Sequence, residues 1–442
     1  MGGVSKPFPV RVVAFGSKKD YEPYRFNEFA SAYYHPGTER DYIVMSETGI
    51  DTFPIAVHEY MHLVMRHADL NFAPWMNEGF AELYSTLKPM GDQVLIGSLI
   101  PGRVRALRED KWIPLSVILA ADRDSPYYNE KARAGSLYNE GWALIDMLSL
   151  SKEYRPGFEQ FYNLMRAGTP SIQALEKAYS TPLAAIEKDL QQYLRGDRFT
   201  GAVFPVKLTK VTAELPATTP QSYDVKLVLT DLTNRRGREA ETRKALEELV
   251  QEDPKRSEAH AALGYLAWRG RSREEAREHF ARAFDLGSRS PRMLLDYGNL
   301  AFDDPPQATR AFNALLEQQP DHVEARLRLA SVQLNARQAN QALATLAPVK
   351  KVSSEEAPRL FRIMAYAQLQ SGFRKEALET AERFASVAKS DSDRDDANRL
   401  IAMLKASPTR EVQSSPSVVS PRLAPPEGEV PKLRRQDQRI SR

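Results

Sequence analysis

The residues with the clearest capacity for chemistry lie in one pentapeptide, His58-Glu59-Tyr60-Met61-His62. On a helix, side chains four apart share a face, so His58 and His62 can both present an imidazole to one metal ion. Glu59 stands one step round the helix, where its carboxylate can reach a metal-bound water without displacing a ligand. The next helical stretch, Trp75-Met76-Asn77-Glu78-Gly79-Phe80-Ala81-Glu82, begins after a loop just long enough to turn the chain back. Glu78 can then supply a third protein ligand. Two histidines, one glutamate and an open position are the donor set of a catalytic Zn2+ site, with one ion per chain. Gly79 would let helices pack closely near the metal. Glu82, one turn after Glu78, has two readings. It accepts the second ring N–H of a ligating histidine and holds its orientation, or it is an ordinary exposed glutamate. His67, five residues after His62, falls off the ligand face, and His35 is read as a turn residue. The bland alternative makes His58 and His62 core histidines, with Glu59 and Glu78 as surface charges; it leaves the motif, the third carboxylate and the helix context unexplained together.

The elements that must position these residues follow from the patterning. Phe8–Phe15, Phe29–Tyr34 and Asp41–Met45 are rich in β-branched and aromatic residues, and His35-Pro36-Gly37 marks a turn, so the last two are expected to form a hairpin. From Phe53 the pattern becomes helical through about His67, and a second helix is expected from about Trp75 to Leu87. Residues 88–135 are mixed, broken by Pro101-Gly102, Pro114 and Pro126. Further helices are expected at about 136–150, 156–167, 171–179 and 182–194. The Gly-, Pro- and Thr-containing stretch 198–220 reads as a linker closing a first domain at 1–197.

Beyond it the chain repeats. Ala276, Ala308, Ala342 and Ala377 are spaced 32, 34 and 35 residues apart, and Gly264, Ala330 and Ala365 sit 12 residues upstream of three of them. A period near 34 with small residues at two places is the tetratricopeptide signature: two helices of a unit approach closely only where side chains are small. About five units are expected between 221 and 390, the first and third irregular, within a repeat domain at 221–405. Stacked repeats form a concave groove suited to a protein or peptide partner. The stretch 406–442, Pro-rich, basic and without aromatic residues, is expected to be a disordered tail.

Composition bounds the remaining possibilities. The net charge is +3, from 61 basic and 58 acidic side chains, which gives no large field to gather nucleic acid. Cysteine is absent, which excludes disulfides, thiolate ligands and a cysteine nucleophile. No run of about 18 apolar residues offers a membrane span. Phe8–Phe15 is too short and too β-branched for a signal-peptide core. The compartment is left open: cytoplasmic as written, periplasmic or secreted if the start lies upstream.

The pair HEYMH and NEGFAE resembles the gluzincin metallopeptidases, the group of thermolysin and aminopeptidase N. The resemblance spans about residues 8–195 in layout and is specific around 55–85 and 136–148. It implies an α+β peptidase domain, a small N-terminal β-sheet plus a helical part, ahead of the all-α tetratricopeptide-type solenoid. It implies that Glu59 is the general base and that His58, His62 and Glu78 are the zinc ligands. Tyr138-Asn139-Glu140-Gly141-Trp142 is similar to the aminopeptidase segment whose tyrosine donates a hydrogen bond to the tetrahedral oxyanion, which assigns that role to Tyr138, with Tyr127 and Tyr128 as substitutes. The Gly-Ala-Met-Glu-Asn segment that holds a free amino group in aminopeptidases is missing. In its place stand Ala30-Ser31-Ala32-Tyr33-Tyr34 and Arg40-Asp41-Tyr42-Ile43-Val44, read as an edge hairpin that would pair with an extended substrate. Endopeptidase and aminopeptidase action both stay open. The rival from another class is a tetratricopeptide scaffold whose N-terminal domain is an inactive relic or holds structural zinc; a further rival keeps the zinc and hydrolyses something other than a peptide.

Overall fold

Alternating β-branched and aromatic residues favour extended pairing, and three such runs form the first sheet: β1 (Val10–Ala14), β2 (Ala32–His35) and β3 (Asp41–Met45). The structure, a computed structural model, describes residues 9–26, 30–37, 39–49, 53–109, 112–122, 124–129, 131–196, 201–206, 218–234 and 237–406. The strand order is β1-β3-β2, with β3 parallel to β1 and antiparallel to β2. The hairpin thus forms with β2 at the edge. His35, expected in the turn, is instead the last residue of β2 and pairs with Tyr42. A short helix, α1 (Lys18–Tyr21), capped by the Ser17 hydroxyl, connects β1 towards β2.

Next come α2 (Phe53–His67) and α3 (Pro74–Ser85). Asp69, at φ 52°, ends α2: the N–H of Leu70 donates to the Met65 carbonyl and that of Asp69 to the Arg66 carbonyl. This double bond pattern satisfies orphan carbonyls and reverses the chain, and Asp is among the few residues other than Gly that tolerate the left-handed conformation. Pro74 at the first turn starts α3 with a fixed φ and no wasted N–H. The helix stops two residues before the expected Leu87, because the Thr86 hydroxyl donates to the Leu83 carbonyl and accepts from the N–H of Gly97.

The stretch 88–135 carries β4 (Lys88–Met90), β5 (Gln93–Ile96), α4 (Pro101–Glu109), α5 (Leu115–Ala120) and α6 (Pro126–Asn129). Helix α7 (Lys131–Leu150) begins five residues earlier than expected. Helices α8 (Phe158–Arg166), α9 (Ser171–Tyr179) and α10 (Leu183–Arg195) follow. The core gathers on α3 and α7, where Trp75, Met76, Trp142, Leu144 and Ile145 are fully buried. The linker expectation needs correction: Ala202–Pro205 is a strand, β6, antiparallel to β5, and completes a second three-stranded sheet, β4-β5-β6. Residues 198–200 and 207–217 of that stretch and the expected tail 407–442 lie outside the described residues.

The chain divides into two units at Thr219/Pro220. Among its described residues the second unit contains helices and turns and no strand. Five antiparallel pairs follow one another: α11 (Ser222–Thr233) with α12 (Glu239–Glu252), α13 (Glu258–Arg269) with α14 (Arg273–Asp285), α15 (Pro291–Leu300) with α16 (Pro305–Gln318), α17 (Val323–Asn335) with α18 (Ala339–Leu346), and α19 (Ala357–Gln370) with α20 (Arg374–Val387). A last helix, α21 (Asp391–Ala406), packs on α20 and covers Ala377, Ala381 and their neighbours. The two irregular units obey the same packing rule with other residues. Buried Thr230 and Thr242 stand 34 residues before Gly264 and Ala276, so threonine takes the small positions of the first unit. In the third, Gly298 lies against Phe312 as Gly264 lies against Phe280; a side-chain carbon on either would come within 2.6 Å of the ring. The spacing between these partners is two residues shorter in the third unit, which hid it from a fixed period.

Candidate metal centre

Helix α2 carries His58, Glu59 and His62, and α3 packs against it with Glu78 pointing back. Nε2 of His58 lies 3.2 Å from Nε2 of His62. Oε2 of Glu78 lies 3.4 Å from the first and 3.5 Å from the second. A tetrahedral zinc ion with bonds of about 2.0–2.2 Å separates its donors by about 3.3–3.6 Å, so these three atoms stand close to the edges of such a polyhedron. They form the one cluster of three potential ligand side chains among the described residues. Glu78 is fully buried, whereas the two imidazoles are partly open, which leaves the approach on the histidine side. The donors are two imidazoles and one carboxylate, a set that suits zinc.

Gly79 and Gly141 explain how α3 can be held so firmly. A side-chain carbon on Gly79 would sit 2.5 Å from the Gly141 carbonyl oxygen, and one on Gly141 would sit 2.6 Å from that of Trp75. The close approach that Gly79 allows is therefore made to α7 rather than to α2. It fixes the helix that delivers Glu78 and draws in the helix that carries Tyr138.

Electrostatics in the cluster follow from burial and neighbours. Burial pushes the Glu78 carboxyl up, but His62 and His58 outweigh it and hold the group well below the ordinary carboxylate range. Burial by itself would lower the His58 pKa; the bond to Glu78 and the charges of Glu82, Glu78 and Glu59 reverse this and lift it to about 9. Glu59 is raised, chiefly by burial, against the pull of both histidines. Its Oε2 accepts the main-chain N–H of Tyr34 at 2.7 Å, so the edge strand β2 touches the carboxylate directly.

Glu82 is not an ordinary exposed glutamate. It is buried, and its Oε1 faces Nδ1 of His58 at 3.4 Å. Tyr138 sits half-buried on α7, packed on the core, with the Arg103 guanidinium 6.0 Å from its ring centre. Tyr127 also packs on the core, and the Tyr128 side chain lies outside the described residues. His67 stays out of the cluster: its Nε2 lies 2.6 Å from Oδ2 of the buried Asp41, the same oxygen that accepts the Tyr34 hydroxyl at 2.6 Å. Residue patterning missed Arg103 and the Tyr34 amide. Each meets the site through packing of remote segments, and neither belongs to a spaced motif.

Residues 299–369 match the tetratricopeptide repeat family, which shows repeats of that kind in the second unit. No curated protein matches the chain. Among solved structures the chain is similar to YrrB, described as a TPR protein with an unusual peptide-binding site, at 16% identity over 39% of this chain and 89% of that one, with a TM-score of 0.34. It is also similar to MamA from Desulfovibrio magneticus RS-1, at 18% identity over 34% and 93%, with a TM-score of 0.28. A tetratricopeptide repeat protein from Parabacteroides merdae ATCC 43184 is similar at 14% identity over 58% and 100%, with a TM-score of 0.27.

Proposed function

We propose that the first unit is a zinc-dependent peptidase and that the repeat unit holds a protein or peptide, either the substrate or a separate partner. The observation that carries the catalytic half is the donor spacing of 3.2, 3.4 and 3.5 Å among His58, His62 and Glu78, with Glu59 beside them. The repeat half is supported independently by the family match at 299–369.

His58, His62 and Glu78 would hold the ion. Bound zinc supplies Lewis-acid polarisation and lowers the pKa of a coordinated water towards about 7. Glu59 takes a proton from the attacking water and returns it to the leaving amine. The Tyr34 amide holds one oxygen of that carboxylate in place. The edge strand β2 offers main-chain groups to an extended peptide, which favours a peptide over other substrates. Tyr138 is assigned as a hydrogen-bond donor to the oxyanion, in keeping with the gluzincin resemblance.

A second reading makes the chain a tetratricopeptide scaffold with an inactive or structural zinc domain, and the match at 299–369 backs it more directly than it backs a peptidase. The retained Glu59 argues against it, because a structural zinc site needs no base. Zinc content and casein hydrolysis, measured side by side for wild type and Glu59→Gln, separate the two. The peptidase reading expects one zinc per chain in both and cleavage only by wild type. Equal cleavage by both proteins removes Glu59 as the base, and zinc in both without cleavage by either favours the scaffold.

A further inference from the structure

Arg103 has no place in any motif, yet it is the hub of the polar groups behind the cluster. It lies on α4, partly buried, and grips Glu82 with two nitrogens: Nε donates to Oε2 at 2.8 Å, and Nη2 donates to Oε1. Its remaining arm, Nη1, donates to Oδ1 of Asn139 on α7 at 2.7 Å, and its central carbon lies 6.0 Å from the ring centre of Tyr138. A guanidinium is planar and its donors are fixed in a fork, so gripping both oxygens sets the plane of the carboxylate as well as its position. Glu82 is buried, and its Oε1 is the atom that faces Nδ1 of His58. Nε2 of the same imidazole points at His62 and Glu78.

We infer that Arg103 is a positioning residue of the metal centre: it locks the plane of Glu82, and Glu82 in turn fixes the rotation of the His58 ring so that Nε2 is aimed at the ion. The inference rests on the zinc reading proposed above. Two physical effects compete. Arg103 is a cation near a cation site, so removing it would strengthen zinc binding if charge alone mattered. Losing the fork frees the Glu82 carboxylate and with it the His58 ring, which weakens binding; partners that orient a ligating histidine are worth about 10–100-fold in metal affinity. Orientation is expected to win, because Arg103 reaches the histidine only through a carboxylate that already neutralises it.

The test is zinc affinity by competition with a chromophoric chelator, on the full chain at one fixed pH. The variants are Arg103→Met, Arg103→Lys and Glu82→Gln, and the double variant Arg103→Met with Glu82→Gln. The inference expects Arg103→Met to weaken binding about 10–100-fold. Arg103→Lys, which keeps the charge and loses the fork, should weaken it as well. In the Glu82→Gln background the Arg103→Met change should have little further effect, since both act through one relay. Unchanged or tighter binding by Arg103→Met overturns the inference, as does full additivity in the double variant. Thermal melting of the metal-free proteins identifies any variant that fails to fold, for which Arg103→Lys stands as the milder probe. Wild type that binds no zinc overturns the metal reading and the inference together, whereas zinc in wild type with an indifferent Arg103 overturns the inference alone.

Discussion

Placing a methyl group on Gly79 tests the packing that delivers Glu78. Its added carbon would lie 2.5 Å from the Gly141 carbonyl oxygen and 2.7 Å from Cγ1 of Ile145. Ordinary contact needs about 3.4 Å, so α3 and α7 must separate by several tenths of an ångström or more, and the obstacle on one side is backbone that cannot rotate away. Overpacking of this kind costs about 1–3 kcal/mol. Alanine has a better helix propensity by about 1 kcal/mol, which offsets part of it. Gly79→Ala should therefore lower the unfolding free energy of the metal-free protein by about 0–2 kcal/mol, and Gly79→Val by more, because its β-branch adds bulk and recovers less of that gain. Urea denaturation gives this number directly. The same displacement moves the neighbouring Glu78, so zinc affinity should fall in step. A Gly79→Val protein as stable as wild type and with unchanged zinc affinity would refute the argument that this close approach holds the site together.

Three further outcomes follow from the same physical picture. A protonated imidazole cannot ligate, and in the metal-free cluster His58 titrates at about 9, so zinc affinity should climb as pH rises from 6 and level off near 9; a flat profile by chelator competition would contradict this. Glu140 is buried, accepts the N–H of Ile113, and is pushed up by that burial to about 7. A carboxyl raised in the folded state favours folding below its unfolded pKa, and this advantage is lost as pH rises through about 7. At about 1.4 kcal/mol per pH unit, Glu140→Gln should stabilise the protein at pH 8 by at most about 3 kcal/mol while doing little near pH 4, as read from denaturation at the two pH values. In the second unit, a methyl group on Gly264 would meet the Phe280 ring at 2.5 Å. Gly264→Ala, with the same overpacking cost less the helix-propensity gain of alanine, should destabilise that unit by about 0–2 kcal/mol and leave zinc affinity at its wild-type value, with Phe280→Leu relieving part of the loss in a double-variant denaturation series.

Helix periods and strand alternation are local properties, and they were legible. The span of α2 from Phe53 to His67 and that of β3 from Asp41 to Met45 follow from side-chain patterning alone. So does the stacking of helical pairs about every 34 residues, because the close approach within each pair demands a small side chain at a fixed place. Where the demand was met by another residue, as by Thr230, Thr242 and Gly298, an alanine-based count passed over it although the packing is the same. Two candidate ligands four apart on one helix are equally local. The third, Glu78, needed only the short reversal at Asp69 to be placed opposite them.

What only the tertiary structure decided involves segments far apart in the chain. Val203 and its neighbours carry the Gly- and Pro-rich surroundings of a linker, yet they pair with β5, more than a hundred residues earlier, because an edge strand accepts any segment that can extend beside it. His35 looked like a turn residue until β3 supplied its partner Tyr42. Glu82 could be a solvated charge on a helix surface; the arrival of Arg103 from α4 and of His58 from α2 made it a buried, oriented carboxylate. The amide of Tyr34 reaches Glu59 across 25 residues of chain. Amino-acid types determine which groups can bind a metal or move a proton, since that chemistry belongs to each side chain. Which carboxylate is buried, which imidazole nitrogen is aimed, and which backbone group is free to hold them depend on desolvation and on contacts between distant segments, and those exist only once the chain has packed.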